Sequence, residues 1–456
     1  MSWQHDLEAA LRDADAPSVL ALDPDVVASH ARDQAPLAHA GTASALVRAR
    51  SVDDVVRTLR FASERGIPVV TRGAGTGLAG GANAVDGCIL LSVAGLDRIV
   101  RVDEAQRVAV VQPGVLNAAL AKEVAARGLY YAPDPASREI STIGGNIATN
   151  AGGSCCLKYG VTGDHVAALE VVLADGTRVR TGALTKKNVA GLDLTRLLVG
   201  SEGTLGVIVE ASVRLLRAPR APSTMVAFFD TLADAAAAIV EMDARLELSL
   251  LEVMDRTTVR AVEDMTHMDL DVEAAAMVLL QSDASDAAAA IATCQRICEG
   301  HAVKSVLCTE DLEEGRMLLL ARRMALPALE KKGTTLLDDV AVPKPAIPLL
   351  LAQIAAIAER LGLVIGTFGH AGDGNLHPTI VFDPRDDASA AHAYQAFDEI
   401  VRAALALGGT ITGEHGVGNL KRDYLTAMVG EAERALMARV KAAFDPKGIL
   451  NPGKAI

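Results

Sequence analysis

Aromatic residues are scarce in this chain, at 3% of 456 positions, so it offers no stacking platform for single-stranded nucleic acid. It has no lysine- or arginine-rich block, and its formal net charge of −13 repels a phosphate backbone; a nucleic-acid partner is not expected. Long hydrophobic runs are missing too. The longest uncharged apolar stretch, near 345–358, falls short of the ~20 residues that cross a bilayer. The opening "MSWQHDLEAALRDADAP" reads as an acidic amphipathic helix, with neither the basic start nor the apolar centre of a secretion signal. A soluble, cytoplasmic protein is expected, with any membrane contact peripheral and made through a partner. The six cysteines follow no zinc or iron–sulfur spacing and read as reduced core thiols.

What the chain has is apolar bulk and glycine. Half of its residues are hydrophobic, many of them alanine, enough for a large core and more than one domain. The segment "SVDDVVRTLRFASERG" predicts a helix capped by Ser51 and Gly66, followed by a buried strand "IPVVT". Short strands then alternate with glycine loops as far as about 217, and "ADGT" marks a hairpin between two of them. "RAPRAPS" (217–223) is a composition break. Beyond it, two β-α-β units predict a ferredoxin-like antiparallel sheet with helices on one face. Helices follow near 311–331, 346–361, 386–407 and 431–443.

Four glycine-rich stretches call for an explanation: "RGAGTGLAGG", "STIGGNIATNAGG", "KYGVTGD" and "GSEGTLG". The first contains G-x-G-x-x-G, but a strand rather than a helix follows it, which argues against a Rossmann fingerprint. Backbone N–H groups in such turns still make nests for phosphate, and four of them fit one extended, phosphate-bearing ligand.

The stretch "GHAGDGNLHP" (369–378) raises a second question. Asp373-Gly374 is a two-residue hairpin signature; with that turn, 372 pairs with 375, 371 with 376, and His370 lies directly opposite His377. Opposed Cβ atoms sit about 4.5–5.5 Å apart, close enough for two imidazoles to share a divalent ion. Adjacent Glu414 and His415 in "TGEHGVG" are candidates to complete the site, flanked by glycines that permit a distorted backbone.

The ordered set "PVVTRGAGTGLAGG", "PDPASREISTIGGNIATNAGG", "LKYGVTGDHVAALEVVLADG" and "VGSEGTLGVIVE" resembles the FAD-binding domain of the vanillyl-alcohol-oxidase superfamily. "GHAGDGNLHP", "TGEHGVG" and "DPKGILNPGK" resemble its FAD-linked C-terminal domain. Together, over roughly 35–456, they resemble the D-lactate dehydrogenase, D-2-hydroxyglutarate dehydrogenase and glycolate oxidase flavoprotein-subunit group.

The resemblance implies an α+β fold: a two-subdomain PCMH-type FAD-binding domain over 1–217, a substrate domain with the metal site over 218–425, and a C-terminal segment, 426–456, returning to FAD. It implies that Arg72, Gly73, Ala74, Gly75, Thr76 and Gly77 wrap the pyrophosphate. Pro133, Asp134, Ser141, Thr142, Gly144, Gly145 and Asn146 would line the pyrophosphate and isoalloxazine, and Thr149 and Gly152 continue that wall. Glu202, Gly203, Gly206 and Ile208 would meet the adenine end, and Asn451 the flavin. The first glycine loop lacks histidine, so FAD is expected to be non-covalent.

The same resemblance assigns His370, His377 and Glu414 to a divalent metal, zinc or Mn²⁺, with His415 as base; the rival puts His415 on the metal and makes Glu414 the base. Arg322 matches the family arginine that pairs with the substrate carboxylate. Where the 2-hydroxyglutarate branch carries polar residues for a second carboxylate, this chain has Leu326 and Leu337, which favours D-lactate or glycolate. The implied activity is a D-2-hydroxy acid dehydrogenase. Its electron acceptor would be a quinone, cytochrome, electron-transfer flavoprotein or iron–sulfur subunit, and a homodimer is the assembly considered.

Overall fold

The computed structural model describes residues 3–12 and 19–456, which pack as two units. The N-terminal helix forms over Trp3–Leu11; the rest of that predicted stretch lies partly outside the described residues. The first unit comprises 1–152, 160–218 and 414–456, the second 153–159 and 219–413.

In the first unit, three parallel strands lie side by side, Ala45–Arg48, Ile89–Ser92 and Val69–Arg72, with the two-residue strand Leu20–Ala21 antiparallel at the edge. The helix Val52–Arg65 joins the first and third of these along the chain. Ser51 and Asp54 close a capping box at its start, and Gly66 ends it at φ +65°. Its apolar face, including Val55, Leu59 and Ala62, is buried in one core with Val47, Val69 and Leu91. A five-stranded antiparallel sheet carries the second core; Val166–Val172 and Arg178–Gly182 in it form the predicted "ADGT" hairpin. Both sheets are open. The strand Val69–Arg72 runs into an irregular glycine loop and then the strand Ile89–Ser92, with no helix between them.

The second unit is built on an eight-stranded sheet. Its first four strands lie in the order Val303–Thr309, Ser223–Phe229, Ala276–Ser282, Leu250–Asp255, all antiparallel. Numbered along the chain this is 4-1-3-2, the ferredoxin-like arrangement the two β-α-β units predicted. The sheet continues through Val364–His370, Asn375–Phe382 and Thr334–Leu337. The stretch expected as one helix near 311–331 divides into Leu312–Arg323 and Ala325–Glu330, and Leu425–Phe444 is broken at Gly430, φ +81°.

The unit boundaries differ from the expected ones in two places. Residues 414–456 pack with the first unit, because the Val417 and Gly418 amides donate to Glu202 and Asn451 donates to the carbonyls of Gly81 and Glu202. Residues 153–159 pack with the second, where Lys158 and Tyr159 both bind Asp283. The cysteines are unbridged, but only Cys88, Cys294 and Cys298 are core; Cys155 and Cys156 are half-buried and Cys308 is exposed. No described helix is long and apolar enough to cross a membrane.

Candidate active site

The first unit draws the expected cofactor residues into one framework. Arg72 ends a buried strand, and its guanidinium binds the carbonyls of His30 and Arg32, so it braces the glycine loop from behind. Gly75 has φ +76°, and a Cβ there would run into that guanidinium. A Cβ on Gly73 would collide with the Thr142 hydroxyl. Gly73 therefore lets the loop that carries Ala74, Thr76 and Gly77 leave its strand with the backbone against Thr142.

Thr142 caps the short helix Ile143–Thr149 and accepts the Gly145 amide at 3.3 Å. Gly144 lies against Pro113, where a Cβ would clash. Asn146, buried, donates to Ser141 at 3.2 Å and accepts from Asn117 at 3.0 Å; Asn117 also donates to the Pro133 carbonyl at 3.1 Å. Asn117 thus joins the segment of Pro133 and Asp134 to that of Ser141–Asn146. The sequence reading missed it, although a polar residue at the start of "NAALAKEVA" whose side chain is 1% exposed is a signal visible only once burial is known. Thr149 turns back to the Gly145 carbonyl, and Gly152 is buried at the end of the wall.

The fourth glycine stretch closes on this helix: Gly200 and Glu202 donate to the carbonyls of Ile147 and Ala148. Glu202 sits at φ +51° and Gly203 at φ +73°, and the following strand places Gly206 and Ile208 beside Val166–Val172. The Glu202 carboxylate accepts Val417 at 2.7 Å and Gly418 at 2.8 Å. Burial pushes its carboxyl up to about 7, against the pull of those two amides. Asn451 donates to Gly81 and Glu202, and its Oδ1 is buried without a hydrogen-bond partner, as are the Thr71 and Tyr131 hydroxyls and Asn419 Oδ1. A buried polar atom left in that state is costly, so Asn451 Oδ1, beside Gly81 and Glu202, fits a polar ligand that satisfies it. Together with the glycine cradle it accommodates FAD.

The second unit holds a different cluster. His370 ends the strand Val364–His370 and His377 lies in Asn375–Phe382. The expected two-residue turn does not form. Ala371–Asp373 make a 3-10 turn closed by Gly374, φ +76°, whose amide donates to Ala371 at 3.2 Å. The loop has four residues, so His370 pairs with Asn375 and Phe368 with His377. The shift is two residues, which preserves the face. The histidines become diagonal neighbours, with ring centroids 5.2 Å apart at 85°.

Each histidine has a buried carboxylate at Nδ1. Glu252 Oε1 lies 2.7 Å from His370 Nδ1, and Asp339 Oδ1 lies 3.6 Å from His377 Nδ1. Both carboxylates are 1% exposed. Burial opposes ionisation of Glu252, but the charges of His370 and Arg322 outweigh it and hold its carboxyl below the usual range. Arg322 is itself buried: Nε donates to Glu252 Oε2 at 2.6 Å, and the guanidinium lies 4.8 Å from the Phe368 ring centre. Neighbouring Arg323 is exposed. Leu337 is buried across from Thr379, and Leu326 is half-buried.

Asp339 also accepts from Asn375 at 2.7 Å, the Thr412 hydroxyl at 2.6 Å and the Gly413 amide at 2.8 Å. The amide of Asn375 further donates to Val340, so it fastens the strand. Glu414 and His415 follow Gly413 directly and open the last segment of the first unit; His415 Nε2 is 3.6 Å from Glu414 Oε1. A left-handed Gly416, φ +88°, succeeds them. The Glu252 carboxylate on Nδ1 fixes the His370 tautomer and leaves Nε2 as the ligating atom, the usual support for a metal-bound histidine, and with His377 one ring away the pair fits a divalent ion.

Comparison with known proteins matches residues 43–182 to an FAD binding domain and 218–455 to the C-terminal domain of FAD linked oxidases. The glycolate oxidase subunit GlcD of Bacillus subtilis (strain 168) is 43% identical over 415 residues, covering 90% of this chain and 88% of its own. A D-lactate dehydrogenase of Archaeoglobus fulgidus is 36% identical over 90% of this chain and 91% of its own. In fold, the chain is similar to 4-ethylphenol oxidase from Gulosibacter chungangensis, with a TM-score of 0.81, 19% identity and coverage of 99% and 97%.

Proposed function

The chain belongs to the FAD-linked oxidases, an oxidoreductase family, and from that premise we propose that it oxidises a small D-2-hydroxy acid, D-lactate or glycolate, to the 2-oxo acid. Its cofactors are non-covalent FAD and a divalent metal, zinc or Mn²⁺. One observation carries the reading: a single buried carboxylate, Glu252, holds both Arg322 and the Nδ1 of His370, whose ring lies 5.2 Å from that of His377. That combination suits a metal and an organic carboxylate together. The names of the relatives, glycolate oxidase subunit and D-lactate dehydrogenase, support it.

FAD, when bound, would supply a hydride acceptor for oxidation at C2, and His370, His377 and Glu414 would hold a divalent ion whose Lewis acidity would favour loss of the hydroxyl proton. The residues do the rest. Arg322 receives the substrate carboxylate by charge-assisted hydrogen bonds. His415 takes the proton of the C2 hydroxyl on its imidazole, a task suited to neutral pH. Asp339 holds the Thr412 hydroxyl and the Gly413 amide, which fixes the backbone one peptide before Glu414. Leu337 offers no partner to a second, distal carboxylate, which favours short or apolar acids.

The word "subunit" in the Bacillus relative's name supports a second element: this chain works in an assembly that passes electrons to a further acceptor. The chain has no iron–sulfur cysteine spacing, so any such cluster resides in another subunit. Anaerobic bleaching of the flavin by hydroxy acids tests the reaction without needing the acceptor. A flavin that no hydroxy acid reduces, metal supplied, sinks the dehydrogenase reading and leaves a non-redox use of the flavin.

A further inference from the structure

Glu252 stands in the middle of the strand Leu250–Asp255, whose first five residues are buried. A carboxylate at 1% exposure is an expensive occupant for such a place, and a well-packed apolar residue often serves stability as well or better. Stability alone therefore does not account for it. The way its two oxygens are divided is informative. Oε1 takes His370 Nδ1 at 2.7 Å, and Oε2 takes Arg322 Nε at 2.6 Å.

The hydrogen bond to Arg322 uses Nε and not the fork of terminal nitrogens. An arginine held this way is oriented without being consumed, because the Nη pair stays available for a second carboxylate. Phe368, 4.8 Å from the guanidinium, supports its plane. The same glutamate fixes His370 in the tautomer that leaves Nε2 for an ion.

We propose that Glu252 is a positioning residue that sets the substrate anchor Arg322 and the metal ligand His370 together, so that carboxylate binding and metal binding are coupled through one side chain. The inference rests on the hydroxy-acid reading above. It differs from ordinary support of a metal ligand in predicting that one substitution disturbs both functions. Glutamine retains the shape but has only one acceptor oxygen, so it serves one partner and turns an N–H against the other.

The test compares wild type, Glu252→Gln and Glu252→Asp as full-length flavoproteins depleted of metal. Zn²⁺ and Mn²⁺ affinities are measured by competition with a chromophoric chelator, then KM and kcat for D-lactate or glycolate after metal is restored. Glu252→Gln is expected to lose 10–100-fold in metal affinity and to raise KM, with FAD content unchanged. Glu252→Asp keeps the charge on a shorter arm and is expected to recover part of both; it also covers the case in which the glutamine variant does not fold. Unchanged metal affinity and KM in a folded Glu252→Gln protein overturn the proposal, as does a wild type that binds neither metal. A wild type that binds metal but is reduced by no hydroxy acid overturns the functional reading instead, and the metal affinities then decide the role of Glu252.

Discussion

His370 and His377 stand diagonally across one hairpin, two residues out of direct opposition, with their rings 5.2 Å apart and nearly perpendicular. Their proximity depends on a four-residue loop that ends in a left-handed glycine.

That loop yields a first prediction. Gly374 has φ +76°, and a Cβ there would run into the Val342 carbonyl. Gly374→Ala should cost more than about 1 kcal/mol and weaken metal binding by displacing His370 from His377. Thermal unfolding and chelator competition on the same sample check both effects.

The hairpin also shows what the sequence could and could not disclose. Asp373-Gly374 announced a turn, and strand alternation placed both histidines on one face; both hold. The register differs because Ala371–Asp373 coil into a 3-10 turn closed by left-handed Gly374, which lengthens the loop from two residues to four. The glycine loops were legible as an ordered set because each needs backbone that only glycine tolerates. Glu252 and Asp339 were not. Glu252 meets His370 across 118 residues, and no local pattern links them. The one available signal was a charged residue inside the apolar run "LSLLEVMD", which reads equally as a strand end. Arg322 was found by resemblance; its burial was not foreseen.

Arg322→Lys keeps the charge but loses Nε and the planar fork. Removing that geometry should cost about 1.5–3 kcal/mol of transition-state binding, roughly 10–100-fold in kcat/KM, carried mainly by KM. Steady-state kinetics with an artificial electron acceptor measure it. Equal losses at saturating and limiting substrate would assign Arg322 another role.

Gly73→Val should abolish FAD retention, because the side chain would occupy the space of the Thr142 hydroxyl that the glycine loop packs against. The ratio of flavin to protein absorbance after gel filtration reads this directly.

Glu202 gives a pH signature. Its folded-state pKa of about 7 lies above the ordinary glutamate value of 4.5, so between those pH values the folded chain holds more protons than the unfolded one. Its contribution to stability is therefore present at low pH and is lost as pH climbs from about 4.5 through 7. Glu202→Gln should flatten that part of the urea-denaturation profile by an amount on the order of 2–3 kcal/mol. Parallel wild-type and variant profiles across that window would contradict the assignment.

Anaerobic flavin bleaching with D-lactate, L-lactate, glycolate and D-2-hydroxyglutarate, each with and without a chelator, decides whether this flavoprotein is a metal-dependent hydroxy-acid dehydrogenase. Rapid loss of the visible flavin band with D-lactate or glycolate, abolished by the chelator and restored by zinc or manganese, is the predicted result. Bleaching that ignores the chelator would remove the metal from the account, and a flavin that stays oxidised with every acid would contradict the account as a whole.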